Sequence, residues 1–194
     1  MTTKVNIPVE IYSEATPNPE MMKFVANKML LPNQQIEFLN SKDAMEAPFA
    51  LDLFTFPYIK SVFIANNFIT INKDTDADWL EIIPVLKEFI KNYLSEAKPL
   101  FTEKFAVKKQ TASNGTDDEI VIKIKEILDK SVKPAVEMDG GAIQFKSFEE
   151  GKLTLSMQGA CSGCPSSSVT LKAGIEGLMK QMIPEVKEVV ADED

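Results

Sequence analysis

The 194-residue chain is 44% hydrophobic and 26% charged, which is enough apolar surface for packed cores and excludes a disordered chain. Its net charge of −8 repels a phosphate backbone, and its densest basic stretch, Lys104–Lys109, falls in a segment that reads as a linker, so nucleic acid is not an expected partner. The absence of histidine excludes imidazole acid–base catalysis, the Ser-His-Asp triad and His metal ligands in one step.

No stretch approaches the roughly 18 apolar residues that a membrane-spanning helix needs. The opening MTTKVNIPVE lacks a basic run followed by an apolar one, so no secretory signal is read there. All 21 positive side chains are Lys, whereas organelle transit peptides are rich in Arg. The expected location is cytoplasmic, and neither a membrane nor nucleic acid is an expected partner.

In chain order, Val5–Ile11 and Met22–Ala26 read as strands separated by the turn Thr16-Pro17-Asn18-Pro19, and Ile36–Leu39 reads as a third. A helix is expected over Ala44–Phe54. Lys60–Ala65 and Phe68–Asn72 form a predicted hairpin about Asn66-Asn67. A helix over Asp76–Leu94 places Ile82, Ile83, Leu86, Phe89, Ile90 and Tyr93 on its buried side, and Pro84 inside it predicts a kink or a late start. Trp79 is expected to belong to the core.

From Lys104 to Glu119 the apolar periodicity is lost and Lys, Ser, Thr, Asn and Gly accumulate, the mark of an exposed linker. Thr116-Asp117-Asp118-Glu119 then fits a capping box. Ile120, Ile124, Ile127 and Leu128 recur at helical spacing, and that helix is expected to stop near Lys133-Pro134 because the residue before Pro avoids helical angles. Asp139-Gly140-Gly141 reads as a structural turn. Strands follow around Ile143 and Phe145 and over Lys152–Met157, joined at Glu149-Glu150-Gly151. Leu171, Ile175, Leu178, Met179 and Met182 then mark a helix that Pro184 ends, and Val186, Val189 and Val190 suggest a short last strand. Gly174 and Gly177 weaken that helix and are expected to permit close packing of helices or a dimer contact. The expected class is α+β: two small α+β domains, residues 1–103 and 117–194, joined by a flexible linker over 104–116.

Both cysteines of the chain lie in GACSGCPSSS, Gly159–Ser168. A strand leads into this stretch and a helix leaves it, with Pro165 suited to the first helical turn. Free N–H groups and the positive end of the helix dipole there favour thiolate, the form that binds metal. The small, polar residues around Cys161 and Cys164 predict a loop that exposes both sulfurs. An iron–sulfur cluster normally takes four cysteines and structural zinc takes four ligands, so two cysteines with no histidine cannot complete either site alone. Two chains can. A dithiol that cycles with a disulfide is the rival reading, since such pairs also precede a helix, and a zinc-bridged interaction protein is a third.

Residues from about 118 to 191 resemble the NifU-type C-terminal domain of the Nfu iron–sulfur cluster carriers. The matching pieces are Lys133-Pro134-Ala135-Val136, Asp139-Gly140-Gly141, Gly159 through Ser167, Thr170-Leu171-Lys172 and Gly174-Ile175-Glu176. The first part resembles the Nfu N-terminal domain through Thr16-Pro17-Asn18-Pro19, Met22-Lys23-Phe24, Val62-Phe63-Ile64, Asn67 to Ile71 and Trp79. Ala142 and Lys133 depart from the family, which often has an acidic or amide residue and an Arg there. The resemblance implies a non-enzymatic carrier. It would hold a [4Fe–4S] cluster on Cys161 and Cys164 of two subunits, with [2Fe–2S] as an open transient form. It would form a homodimer on cluster binding, receive the cluster from assembly proteins and pass it to apo iron–sulfur client proteins. The first domain has no visible chemistry and is expected to recognise donors or clients.

Overall fold

The computed structural model of the chain describes residues 8–74, 76–108, 119–162 and 165–192. It divides into two compact units.

The first unit is built on a five-stranded sheet of order β1-β2-β5-β4-β3. The strands are β1 (Ile11–Ala15), β2 (Met21–Ala26), β3 (Leu31–Phe38), β4 (Ile59–Asn66) and β5 (Phe68–Lys73). The hairpin of β4 and β5 forms as the sequence indicates, with Ala65 opposite Phe68 and Asn66 at φ +42° in the turn. Strand β1 begins at Ile11, where the expected strand ends; residues 5–7 of that expectation lie outside the described residues. Helix α1 (Pro48–Leu53) is shorter than expected because Pro48 sits at its first turn and fixes the start.

Helix α2 (Trp79–Ser95) starts with Asp78, whose carboxylate accepts the Leu80 N–H at 2.9 Å. It runs through Pro84 without ending. The acceptor that loses its helical donor is the carbonyl of Leu80, whose residue is 82% exposed and therefore on the solvent side. Ile82, Leu86, Ile90 and Tyr93 are buried against Phe24, Phe38, Phe49 and Leu53, with Ile83, Phe89 and Trp79 partly buried around them. Helix α3 (Glu103–Lys108) extends into the segment expected to be linker. Its Phe105 stacks on Phe101 at 4.8 Å between ring centres, an apolar anchor the linker reading passed over. Residues 109–118, with most of that linker and of the expected capping box, lie outside the described residues.

In the second unit, α4 (Glu119–Ile127) does not stop before Pro134. It continues through a π-helical turn, Leu128–Val132, into α5 (Lys133–Met138). Pro134 cannot donate to the carbonyl four residues back, and the chain answers by widening the turn: the Lys133 N–H bonds the Leu128 carbonyl. The wider turn also keeps Ile124, Leu128, Val132 and Val136 on one buried face, although their spacing of four would drift around an unbroken α-helix.

A three-stranded sheet receives this face. Strands β6 (Gly141–Glu149) and β7 (Lys152–Gly159) are antiparallel, closed by Glu150 at φ +52° and Gly151 at φ +89°. Helix α6 (Pro165–Met182) then crosses to β8 (Glu188–Asp192), which pairs parallel to β7. Ile143, Leu153, Leu155, Met157, Ile175, Met179, Ile183 and Val189 complete the core. Both units mix helices with sheet, the expected α+β class.

Candidate functional site

The loop after β7 is shaped by two glycine corners. Gly159 ends the strand at φ +61°. Its carbonyl accepts the Ser162 N–H at 3.0 Å and the Ser162 hydroxyl at 2.8 Å, which closes a tight turn around Ala160 and Cys161. Gly140, at φ +82°, ends α5, its N–H bonding the Glu137 carbonyl at 3.1 Å. The corners are tied together: the Ala160 N–H donates to the Gly140 carbonyl at 3.2 Å, and Gly141 stands opposite Gly159 in the ladder.

Cys161 is consequently folded back onto the first residue of β6. A Cβ built on Gly141 would overlap Cys161 Sγ and lie 2.9 Å from both the Cys161 nitrogen and the Gln158 carbonyl oxygen. Cys161 is only 6% exposed and belongs to the second core. This corrects the expectation of an exposed sulfur: the small residues that make the loop polar also let it fold tightly against the sheet. It also corrects the reading of Asp139-Gly140-Gly141 as no more than a turn. One glycine there serves the corner, and the second makes room for the thiol. Two adjacent glycines where a corner needs one positive φ were the available signal.

Cys164 and Gly163 lie outside the described residues, as do the side chains of Ser166, Ser167 and Ser168. Helix α6 begins at Pro165, as the sequence places it, so Cys161 stands four residues ahead of its first turn. Among the described residues no group of three or more His, Cys, Asp or Glu side chains comes together to hold a metal. Of the two departures from the family pattern, Ala142 is buried opposite Gln158, and Lys133 pairs with Asp129 at 2.5 Å.

Helix α6 also holds the last strand in place. Glu176 accepts Lys180 Nζ at 2.5 Å on one oxygen and the Val189 N–H at 3.1 Å on the other. The Lys180 bond first, and the Val189 N–H next, hold this carboxyl below its usual range. Gly174 and Gly177 do not serve close packing of helices here: a Cβ on either would meet nothing within 4 Å. Among the described residues no helix is long and apolar enough to cross a membrane.

The model of the scaffold protein Nfu/NifU N-terminal domain matches residues 11–97, and that of the NifU-like domain matches residues 124–190. The chain belongs to the Nfu/NifU scaffold family. It is 38% identical to the mitochondrial NifU-like protein 5 of Arabidopsis thaliana, covering 95% of this chain and 68% of that protein. It is also 38% identical to the mitochondrial NFU1 iron-sulfur cluster scaffold homolog of Homo sapiens, covering 92% of this chain and 70% of that protein. A solution structure of a NifU-like protein from Saccharomyces cerevisiae aligns over 53% of this chain and 92% of that one, at 22% identity and a TM-score of 0.46. The family match spans the glycine corners and both cysteines.

Proposed function

We propose that this protein is a carrier of iron–sulfur clusters, the cluster being its cargo and not a resident cofactor. Cys161 and Cys164 are the ligands, and two chains supply the four thiolates that a [4Fe–4S] cluster takes. The observation that supports this best is the ligand deficit: the chain has two cysteines and no histidine, Cys161 stands in a tight turn, and among the described residues no group of three or more His, Cys, Asp or Glu side chains comes together to hold a metal. A cluster held between two subunits is reached from outside more readily than one enclosed in a core, which suits delivery.

Transfer is ligand exchange, with no net oxidation. Each acceptor thiol gives up its proton as it binds iron, and the displaced Cys161 or Cys164 thiolate regains one. A [2Fe–2S] form would use the same four thiolates. No covalent bond in a substrate is made or cut, so the proposed activity is not enzymatic.

The domain division at residues 1–103 and 117–194 gives a division of labour. The second domain holds the cluster, and the first recognises donors or apo clients. A chain lacking residues 1–103 that served every client at the full rate would remove the recognition role. A cytoplasmic setting rests on the Arg-free composition; the Arabidopsis thaliana and Homo sapiens relatives are named as mitochondrial.

Anaerobic reconstitution with iron and sulfide, followed by metal analysis and native mass, tests the proposal. A dimer with about two irons and two sulfides per chain supports a shared [4Fe–4S] cluster. A colourless monomer cycling between dithiol and disulfide would replace it with the redox reading, and zinc without sulfide would replace it with a zinc-bridged one.

A further inference from the structure

We propose that the notch left by the missing side chain of Gly141 is a resting seat for the Cys161 thiol, in which Gly141 acts as a positioning residue that keeps one cluster ligand out of solvent until cargo arrives. The inference rests on the carrier reading for its purpose, but the seat itself is a property of the chain without cluster.

The argument begins with space. Gly141 has no intrinsic need to be glycine for its own backbone angle; the positive φ at this corner belongs to Gly140. What it lacks is room, because a Cβ there would overlap Cys161 Sγ and crowd two backbone atoms at 2.9 Å. The sulfur therefore fills the volume that a side chain at position 141 would occupy. Among the bonds that hold it there are Ala160 N–H to Gly140 O, and the Ser162 N–H and hydroxyl to Gly159 O. Two lie within the turn 159–162 and one joins it to the corner at Gly140, beyond the Gly141–Gly159 pair that ends the β6–β7 ladder, so the turn can open without breaking that ladder.

The second step is chemical. A thiol 6% exposed within one chain cannot share an iron with a second chain from that position. Loading must bring Sγ out of the seat, by rotation of the side chain or by opening of the turn. An empty carrier with a seated thiol is protected against alkylation and oxidation, both of which need access and thiolate. Release of the cluster would let the thiol return to the seat, which disfavours recapture of cargo already passed on.

The test is alkylation of the full-length, cluster-free chain by iodoacetamide under anaerobic, reducing conditions, with the Cys161-containing peptide followed by mass spectrometry. Cys161 should react about tenfold or more slowly than in the same chain unfolded in urea, since access requires local opening. Gly141→Ala should bring its rate toward the unfolded value while far-UV circular dichroism remains native. Wild-type Cys161 reacting at the unfolded rate, or a folded Gly141→Ala variant with unchanged protection, would overturn the seat. Should Gly141→Ala not fold, the urea dependence of wild-type Cys161 alkylation decides: protection by a turn that opens locally should be lost below the unfolding midpoint of the second unit, and protection lost only with that unit's unfolding would overturn the proposal. Iron and sulfide uptake by the wild type is read separately. A protected thiol without uptake removes the carrier reading and leaves the seat, and uptake by a chain with fully reactive Cys161 removes the seat alone.

Discussion

Replacing Cys161 with Ala tests the burial of this side chain most directly. Were the loop exposed, the change would alter stability by less than about 0.5 kcal/mol. At 6% exposure within the second core, it removes a sulfur about the size of a methylene or somewhat larger and leaves a void against Gly141. The transfer contribution is about 0.8 kcal/mol and the unfilled space adds to it, for a total loss of about 1–2 kcal/mol. For a domain of this size that lowers the melting temperature by several degrees, at roughly 4–8 °C per kcal/mol. The chain offers a clean assay. Its only tryptophan, Trp79, and its three tyrosines, Tyr12, Tyr58 and Tyr93, all lie in the first unit. Aromatic fluorescence in urea therefore follows the first unit, while far-UV circular dichroism follows both. Cys161→Ala should move only the dichroism transition that fluorescence does not report. An unmoved transition, or one that moves in the fluorescence signal, refutes the burial argument.

Gly174→Ala with Gly177→Ala should stabilise the cluster-free second unit by up to about 2 kcal/mol in total, since each glycine costs about 1 kcal/mol in a helix and neither Cβ meets an atom; calorimetry reads this, and a loss of stability would show that the open face is not open. Gly151→Ala should destabilise by about 1–3 kcal/mol, because φ is +89° and a Cβ would lie 2.8 Å from the Glu185 carbonyl oxygen, which can be checked by chemical denaturation. Glu176→Gln should weaken the docking of β8 and speed amide exchange at Val189 near neutral pH. The folded carboxyl titrates below its unfolded value, so its contribution is complete above the ordinary carboxylate range and is lost as pH falls through the folded pKa. Wild type and variant should therefore converge in strong acid, and a difference that persists there refutes the linkage.

Local patterns made most of the fold legible. The β4–β5 hairpin follows from Asn66-Asn67 between apolar runs, and the β6–β7 hairpin from Glu150-Gly151, because two-residue turns admit few residue types. Proline misled where tertiary packing outweighed it. Pro134 would end an isolated helix, but Val136 beyond it is 1% exposed, and burying it favours keeping the chain helical at the expense of one widened turn. In the site, the cysteine pair was readable from spacing and flanking glycines alone. The burial of Cys161 was not, because it depends on Gly141, twenty residues earlier and adjacent only through the sheet.

That long-range contact alters what the loop composition means. Glycine and serine around a cysteine pair suggest access when the loop is considered by itself. Against a neighbouring strand whose first residue also lacks a side chain, the same small residues permit close approach, and close approach shields the sulfur. The two roles suit one task in sequence. A carrier must present strong ligands to cargo, yet an empty carrier with exposed thiolates would be oxidised or would take back what it delivered. A seat as small as one missing Cβ would hold the thiol by packing and by a few hydrogen bonds, among them those within the short turn and the one from Ala160 to Gly140. Interactions of that number are worth a few kcal/mol at most once water competes for the same groups. Ligation of iron by thiolate is strong enough to outweigh such a restraint, whereas thermal opening seldom does. The position of Cys161 in the chain is therefore compatible with the ligand role proposed for it, and on that proposal Gly141 sets how firmly the seat holds the thiol.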